Sequence, residues 1–345
     1  MRPFDGPEQH AKLAGKEGGD CTGAERGADV KVVFVTGWGR SGTTLLDRVL
    51  GEMPEYTSLG EFRDMTDGRP VATHVCACGK SMAECPFWVG IVPEAMASVG
   101  VDERGLRDLL YSTSRQRYLP RLLLTHHQAR SMDDVPDYAK YLFAVYERVI
   151  ARAGRPAIVD SSKSPSDAMV LASHPGIELH LIHLVRDPRG PAYSWSHPKP
   201  DPGKNGASTL VLSPAWSSTK WLGLNLAIEL FLRAAVGDRY QLVRYEDLMR
   251  RPDVELRRIA RKLGSDPDAL PLVGERQVEF SPGHTMGGNP VRFVHGRVTL
   301  APDVRWVQEM STYDRLTATL PALPLLHRYR YHLWSADGRS SDRVT

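Results

Sequence analysis

A glycine-rich stretch near the start of the sequence, GWGRSGTT, has the residue types that bind a phosphate ester. Gly37 and Gly42 are separated by four residues, as in the phosphate-binding loop G-x-x-x-x-G-K-[ST], but Thr43 stands where that loop has its lysine. An apolar β-branched run, residues 31–36, precedes the stretch, and residues 41–50 carry leucines and valines at helical spacing. We therefore predict a strand, a turn and a helix whose N–H groups and dipole favour an anion.

The missing lysine restricts which anion this loop can bind. In nucleoside triphosphatases the lysine reaches the β- and γ-phosphates, so its absence argues against a triphosphate. Arg40 still supplies a cation at the mouth of the loop, and the predicted cradle continues through Ser41, Gly42, Thr43 and Thr44. The alternative is a turn of small residues that only packs.

The rest of the chain alternates between strand and helix patterns. The segments PAIVDSSK, IELHLIHLVRD and QLVRYEDL are typical of buried strands, and each is followed by polar residues and a helix start. This alternation predicts an α/β fold with a central parallel sheet. The expected architecture is a single P-loop-like domain in which helices flank that sheet.

The domain boundaries follow from changes in composition. The predicted domain covers residues 30–335, after a disordered leader, 1–29, and before a short tail, 336–345. Residues 66–152 carry mainly helical patterns and are predicted to form a helical insertion. Residues 196–218 are rich in Pro, Gly and Ser, which predicts a long loop that can act as a lid.

Composition and charge exclude several classes of partner. The chain has 345 residues, of which 41% are hydrophobic and 25% charged, as expected for a globular protein. A net charge of +3 is too small to indicate a nucleic-acid partner. No apolar run approaches the roughly 18 residues of a membrane helix. We therefore expect a cytoplasmic protein with no nucleic-acid partner and no membrane span.

The cysteines raise a separate question. Cys21 stands alone in the polar leader, whereas Cys76, Cys78 and Cys85 are close together in HVCACGKSMAECPFW, where His74 precedes them. These four residues could close a tetrahedral zinc site, but C-x-C with a six-residue gap is not a common zinc spacing. A buried thiol cluster or one labile disulfide is the alternative. We predict no metal cofactor and less than stoichiometric zinc.

The loop sequence GRSGTTLL resembles the 5′-phosphosulfate loop of the sulfotransferases that use 3′-phosphoadenosine 5′-phosphosulfate (PAPS). In that family a strand ends in an arginine that is followed eight residues later by a serine, and both hold the 3′-phosphate of the donor. HLVRDPRGPAYSW places Arg186 and Ser194 in the same way. An arginine at a strand end and a serine two helical turns later can face one phosphate.

Two further blocks extend the resemblance over roughly residues 31–331. VRYEDLMRRP is similar to the family's strand whose tyrosine, here Tyr245, lies by the adenine. GGNPVRF, with Asn289 and Arg292, resembles the C-terminal block of the bacterial and carbohydrate-type branch, which implies that both residues bind the donor. This block is expected near the adenosine, so His284 also stays a candidate.

The resemblance implies a reaction as well as a donor. PAPS would give its sulfuryl group to a hydroxyl or amine acceptor and leave as adenosine 3′,5′-bisphosphate (PAP). A transferring sulfuryl group carries less negative charge than a phosphoryl group, so backbone amides and a few cations, Arg40 among them, can hold it without magnesium. The resemblance therefore implies that the chemistry requires no metal.

The acceptor must lose a proton, and the resemblance limits where the base can be. In the cytosolic branch the base is a histidine just after a catalytic lysine, but Lys163 is followed here by Ser164 and Pro165. In the tyrosyl-protein and carbohydrate branches a glutamate about twenty residues after the loop takes this role. Glu61, after a predicted short second strand, matches it and is our predicted base, with Lys163 neutralising charge on the bridging oxygen. A solvent-exposed carboxylate and a loop cation are the alternatives.

Two other functions stay open on the sequence. A P-loop kinase or nucleoside triphosphatase would share the strand, loop and helix but needs magnesium and a strand-end acid, for which Asp160 is the candidate. A non-catalytic nucleotide-binding protein needs neither Glu61 nor Lys163. The sequence favours a small-molecule or glycan acceptor without identifying it, and it does not indicate an oligomeric state.

Overall fold

The computed structural model describes residues 30–66, 68–126, 131–198, 200 and 210–333. The predicted leader and tail, and much of the predicted 196–218 loop, lie outside these residues.

Within the described chain, five parallel strands form a central sheet in the order β2-β3-β1-β4-β5. The strands are β1 (Val30–Thr36), β2 (Tyr56–Gly60), β3 (Ala157–Lys163), β4 (Ile177–Val185) and β5 (Tyr240–Arg244). The central β1 has the sequence VKVVFVT and is almost entirely buried, as expected for a parallel strand that is covered on both faces. The predicted α/β class with a central parallel sheet is confirmed.

Helices cover both faces of this sheet. Their bounds in the described chain are α1 (Thr43–Gly51), α2 (Ile91–Ser98), α3 (Glu103–Thr113), α4 (Leu119–His126), α5 (Asp137–Ala153), α6 (Pro165–Ala172), α7 (Arg189–Ser196), α8 (Pro214–Ala227), α9 (Arg233–Val236), α10 (Tyr245–Arg250), α11 (Pro252–Lys262), α12 (Arg305–Glu309) and α13 (Thr312–Leu326). A π-helical turn, Ile228–Leu232, joins α8 to α9. Two antiparallel strands, β6 (Gln277–Phe280) and β7 (Gly296–Thr299), form a separate ribbon.

The side chains of β1 alternate between two hydrophobic cores. Val32 and Phe34 pack on one face with the helices of the insertion, whereas Val33 and Val35 pack on the other with α1, α10, α11 and the β6–β7 ribbon. This two-residue alternation is the geometry of a β-strand. Burial of both faces leaves the strand ends as the place where polar groups meet.

The insertion has the predicted helical character, whereas the predicted loop ended too late. Helices α2 to α5 occupy about half of residues 66–152. Helix α8, however, begins at Pro214, so residues predicted as loop up to 218 are helical. Ser213 caps this helix by accepting a hydrogen bond from Trp216 N, and proline at the first helical position fits the same start.

The strand order determines where a ligand can bind. The chain leaves β1 toward β2 at one edge of the sheet and leaves β4 toward β5 at the other edge. In open α/β sheets, ligands bind in the crevice outside the carboxyl ends of two such neighbouring strands, which here are β1 and β4.

Among the described helices, none combines the length and the apolar character that crossing a membrane requires.

Candidate active site

A cavity of about 410 Å³ opens at this crevice, and it collects nearly all of the residues that the sequence singled out. The predicted site residues that line it are Arg40, Gly42, Thr43, Thr44, Glu61, Lys163, Arg186, Ser194, Tyr245, Asn289 and Arg292. Ser41 is the exception, because it is fully buried and does not line the cavity. Its hydroxyl oxygen is buried and has no hydrogen-bond partner among the described residues.

The loop between β1 and α1 is held in a conformation that few residues adopt. Gly42 lies at φ +93° just before α1, and a Cβ there would come within 3.0 Å of the Tyr245 ring. Arg40 lies at φ +70°, an uncommon conformation for a residue with a side chain, and its guanidinium is 4.8 Å from the Trp195 ring. The loop therefore leads into α1 with the helix's first N–H groups unpaired within the helix and close to the cavity.

Arg186 supports this loop as well as facing the cavity. It donates one hydrogen bond to Arg40 O (2.8 Å) and another to Asp303 O (2.8 Å), and its guanidinium stacks on the Tyr245 ring at 4.3 Å. The Asp303 carboxylate lies 3.5 Å from Arg186, and hydrogen bonding to Arg305, with the charge of Arg186, holds the pKa of Asp303 well below its usual range. Sequence analysis did not single out Asp303, which follows the GGNPVRF block by about ten residues.

Glu61 and Lys163 come together as an ion pair that lines the cavity. They are distant in sequence, but Glu61 follows the last residue of β2 and Lys163 is the last residue of β3. Because these two strands pair in parallel, both residues lie at the carboxyl ends of neighbouring strands. A register shift near the end of β3 places Lys163 at φ +66°, and Thr36 Oγ1 donates to Lys163 O at 2.6 Å. Thr44 Oγ1, from the loop side, donates to Glu61 Oε1 at 3.3 Å. The predicted base is therefore next to the predicted cradle.

A pair of glycines in the C-terminal block lets the chain pass over Glu61. A Cβ on Gly287 would be 2.7 Å from Glu61 O, and one on Gly288 would be 2.9 Å from Glu61 Oε1. Both glycines have positive φ, at +60° and +83°. Glu61 N donates to Met286 O at 2.8 Å, which fixes the segment against β2. The sequence contained this signal in GGNPVRF, but nothing in the pattern indicated that it would lie over Glu61.

The two predicted site residues of that block, Asn289 and Arg292, have hydrogen-bond partners within the protein. Asn289 Oδ1 accepts from Val291 N at 3.1 Å, and Asn289 N donates to Thr44 Oγ1 at 3.3 Å. Arg292 donates to Gly288 O at 2.7 Å. Both residues therefore shape the cavity wall, and their contacts with a donor nucleotide stay predictions.

Asp160, the candidate magnesium ligand, lies inside the protein. Its carboxylate accepts hydrogen bonds from Tyr146 Oη (2.7 Å) and Ser162 N (2.8 Å). Burial raises the pKa of Asp160 to about 6, and the residue does not line the cavity. An acid that is buried and internally paired in this way is poorly placed to hold a magnesium ion on a nucleotide.

The structure corrects the predicted positions of two histidines, His284 and His74. His284, expected by the adenosine, lies instead against the cysteines, with Nδ1 3.2 Å from Cys85 Sγ and 3.7 Å from Cys76 Sγ. His74, which the sequence suggested as the fourth member of that cluster, has its Nδ1 3.2 Å from Val71 O and lines the cavity. The tertiary structure, rather than proximity in sequence, determines that His284 and not His74 lies beside the cysteines.

One curated protein is similar to much of this chain. The nodulation protein NoeE of Sinorhizobium fredii (strain NBRC 101917 / NGR234) is 27% identical over 264 residues, which are 72% of this chain and 54% of that protein. The chain thus spans about half the length of this curated relative.

Solved structures are similar at lower identity. The sulfotransferase domain from the Synechococcus PCC 7002 olefin synthase is 20% identical with a TM-score of 0.47, over 88% of this chain and 96% of that one. The sulfotransferase domain from the curacin biosynthetic pathway is 15% identical with a TM-score of 0.46, over 89% of this chain and 99% of that one.

The family model described as "Sulfotransferase family" matches residues 32–268, which is more than half of the chain. The match includes the loop after β1, Glu61, Lys163 and the Arg186–Ser194 block. We conclude that the chain belongs to the sulfotransferase family.

Proposed function

We propose that this protein transfers the sulfuryl group of PAPS to a hydroxyl or amine acceptor, with Glu61 as the general base. One observation carries the proposal: the Glu61–Lys163 ion pair lines the same cavity as the loop after β1, Arg186 and Ser194. A base and a cation beside an anion cradle are the groups that such a transfer needs.

The size and lining of the cavity suit the donor. A cavity of about 410 Å³ lies in the range of pockets that bind small molecules. In this proposal the N–H groups at the start of α1, with Arg40, hold the 5′-phosphosulfate, Arg186 and Ser194 hold the 3′-phosphate, and Tyr245 lies by the adenine. Arg186 and Ser194 are 5% and 7% exposed, so a phosphate between them would be largely shielded from water.

The ion pair gives each partner a role in the transfer. The acceptor oxygen forms a bond to sulfur while the bond from sulfur to the bridging phosphate oxygen breaks, and PAP leaves. The acceptor proton passes to the Glu61 carboxylate, which makes the attacking oxygen a better nucleophile. The Lys163 ammonium neutralises the negative charge that grows on the bridging oxygen. Both side chains are partly exposed, at 16% for Glu61 and 18% for Lys163, so ligands can reach them.

The two rival functions have less support. A magnesium-dependent phosphotransferase lacks the loop lysine, and its candidate acid, Asp160, is buried and hydrogen-bonded internally. A non-catalytic nucleotide-binding protein would not need a carboxylate and an ammonium paired inside its cavity. The acceptor we propose is a small molecule or a glycan, in a cytoplasmic reaction.

Isothermal calorimetry with PAP, and separately with ATP and magnesium, tests the donor assignment. We expect tight binding of PAP and weak binding of ATP, because only PAP carries the 3′-phosphate. Transfer from labelled PAPS to a panel of hydroxyl acceptors then distinguishes an enzyme from a binding protein. Tight magnesium-dependent binding of ATP, with no PAP binding, would replace this proposal by the phosphotransferase.

A further inference from the structure

Three cysteines and one histidine meet at a single point beside the cavity. Cys76, Cys78, Cys85 and His284 each direct one ligand atom inward, and these four atoms lie within 4.8 Å of one another. We propose that they bind one structural zinc ion, which replaces the sequence-based expectation of less than stoichiometric zinc. The inference does not depend on the proposed function.

The distances between the ligand atoms match a tetrahedral ion. Zinc binds sulfur at about 2.3 Å and nitrogen at about 2.0–2.1 Å, so neighbouring ligand atoms should be roughly 3.5–3.8 Å apart. Cys76 Sγ is 3.6 Å from Cys85 Sγ, and Cys78 Sγ is 3.7 Å from Cys85 Sγ. His284 Nδ1 is 3.7 Å from Cys76 Sγ and 3.2 Å from Cys85 Sγ. Three of the six edges of the tetrahedron therefore have the expected length, and a fourth, from Cys85 to His284, is somewhat shorter.

A disulfide would explain the positions of these four residues less fully than a zinc ion does. The described cysteines are free, and a disulfide would bring two sulfurs to about 2.0 Å and leave the third sulfur and the imidazole without a role. A Cys₃His set with one shared centre is a common ligand set for structural zinc. Cys78 is the exposed member, which leaves the ion a route of entry.

The backbone holds the ligands in place from two segments. Cys76 N donates to Lys80 O at 2.9 Å and Gly79 N donates to Cys76 O at 2.9 Å, which forms a tight turn around Cys78. Gly79 lies at φ +84°, so glycine suits this turn. The N–H of Cys85 is bonded to Ser81 O at 2.8 Å. The second segment brings only His284.

Aromatic residues fix the imidazole. The Phe87 ring stacks on His284 with 5.1 Å between centroids and 6° between planes. Trp88 Nε1 donates to His284 O at 2.6 Å. Both aromatic residues lie within three positions of Cys85 in the sequence. The segment that supplies one cysteine therefore also orients the histidine, as supporting groups around metal sites do.

The position of the site indicates what the ion would do. His284 is followed by Thr285, whose carbonyl accepts from Ala77 N at 3.0 Å, and by Met286, which is bridged to both Cys76 and Gly60. The next residues, Gly287 and Gly288, pass over Glu61. A zinc ion here would join the cysteine turn to the segment that forms this wall of the cavity.

Elemental analysis of the full-length protein, produced without a metal-affinity tag, tests the site. We expect one zinc per chain, and cobalt substitution should give thiolate-to-cobalt absorption. Cys78→Ser and His284→Ala should each lower zinc to well below one, whereas Cys21→Ser and His74→Ala should keep it. Absence of zinc and cobalt binding, a disulfide within the cluster, or full zinc in the His284→Ala variant would each overturn the proposal.

A second measurement tests the structural role without an activity assay. Removing zinc with a strong chelator should lower Tm by roughly 5 °C or more, because metal-binding free energy adds to folding free energy. Hydrogen exchange should increase by tenfold or more at residues 284–289 and stay unchanged in β5, and returning zinc should reverse both effects. Zinc loss without a change in exchange at 284–289 would contradict the anchoring role.

Discussion

The two sides of the cavity are built by different means. The side that we propose binds the donor, here called the donor side, consists of the loop after β1 with Arg186 and Tyr245, and it is shaped by backbone N–H groups, by residues at positive φ and by one buried arginine. The side where we propose the reaction occurs, here called the reaction side, consists of Glu61, Lys163 and Gly288, a charged pair at the ends of two neighbouring strands with a third segment lying over it.

The difference shows how binding and chemistry can be separated within one cavity. In the proposed function, backbone groups and a buried cation would form a fixed anion site that recognises the donor whatever the acceptor. Side-chain charges on separate strands can be changed one at a time, so substitutions on the reaction side should alter turnover and leave donor affinity nearly unchanged. The predictions below test that separation.

The largest effect is expected for Glu61→Gln. Loss of the base should lower kcat by roughly 100-fold or more, while PAP affinity stays within about twofold. Lys163→Ala should give a similar loss of turnover, also with PAP bound normally. Steady-state kinetics and calorimetry measure both quantities, and Glu275→Gln, at an exposed position that does not line the cavity, is the control. Normal turnover of the Glu61 variant would move the base to His74, His197 or another residue.

On the donor side, Arg186 should determine how much more tightly the protein binds PAP than AMP. We expect PAP to bind at least 100-fold more tightly than AMP, which is roughly 3 kcal/mol, because only PAP has a 3′-phosphate. Arg186→Ala should remove most of that ratio, and Ser194→Ala a smaller part.

Arg186 also holds Arg40 O, so the affinity ratio is a cleaner readout than either affinity alone. An Arg186 variant that binds both nucleotides more weakly by the same factor would show that this residue supports the loop and does not read the 3′-phosphate.

A methyl group on Gly288 should affect the reaction side more than the donor side. Its Cβ would approach Glu61 Oε1 to 2.9 Å at φ +83°, so Gly288→Ala should displace the carboxylate and lower kcat by about tenfold. Gly283→Ala is the matched control, because the nearest atom to its Cβ is 3.9 Å away and its φ is not positive. Equal effects of the two substitutions would contradict a specific role for Gly288.

Asp160→Asn should change stability with pH and leave turnover within about twofold. Burial raises the pKa of Asp160 to about 6, so the folded state favours the neutral acid, and this contribution to stability is lost as the pH rises through about 6. The amide stays neutral, so the variant should melt roughly 3 °C or more above the parent at pH 8 and gain less at pH 5. A loss of turnover near 100-fold would instead indicate that Asp160 holds a catalytic metal.

The smallest effect is expected for magnesium. Omitting it, or adding EDTA for a short time, should leave the rate of sulfuryl transfer within about twofold, because the loop has no lysine and a sulfuryl group carries less negative charge than a phosphoryl group, so we propose that no bridging cation is needed. EDTA also chelates zinc, so zinc content is measured in the same samples. A rate that collapses without magnesium and returns when it is added back would favour the phosphotransferase.

Local patterns in the sequence predicted the fold class and singled out most of the residues that line the donor side of the cavity. The alternation of buried strands and helices predicted the parallel sheet, and the loop spacing predicted the turn before α1. These features depend on neighbours a few residues apart, so a linear pattern contains them. The end of the loop before α8 was misplaced because Ser213 and Pro214 start a helix inside a segment whose composition is typical of a loop.

The sequence by itself determined which side chains are candidates for the site and their order along the chain. Glu61 and Lys163 could be proposed separately, but only the pairing of β2 with β3 brings them into one ion pair. The same holds for His284, which lies about 200 residues from the cysteines in sequence and replaces the nearby His74 in their cluster. Contacts between distant segments depend on how strands pair and helices pack, and no local spacing encodes them.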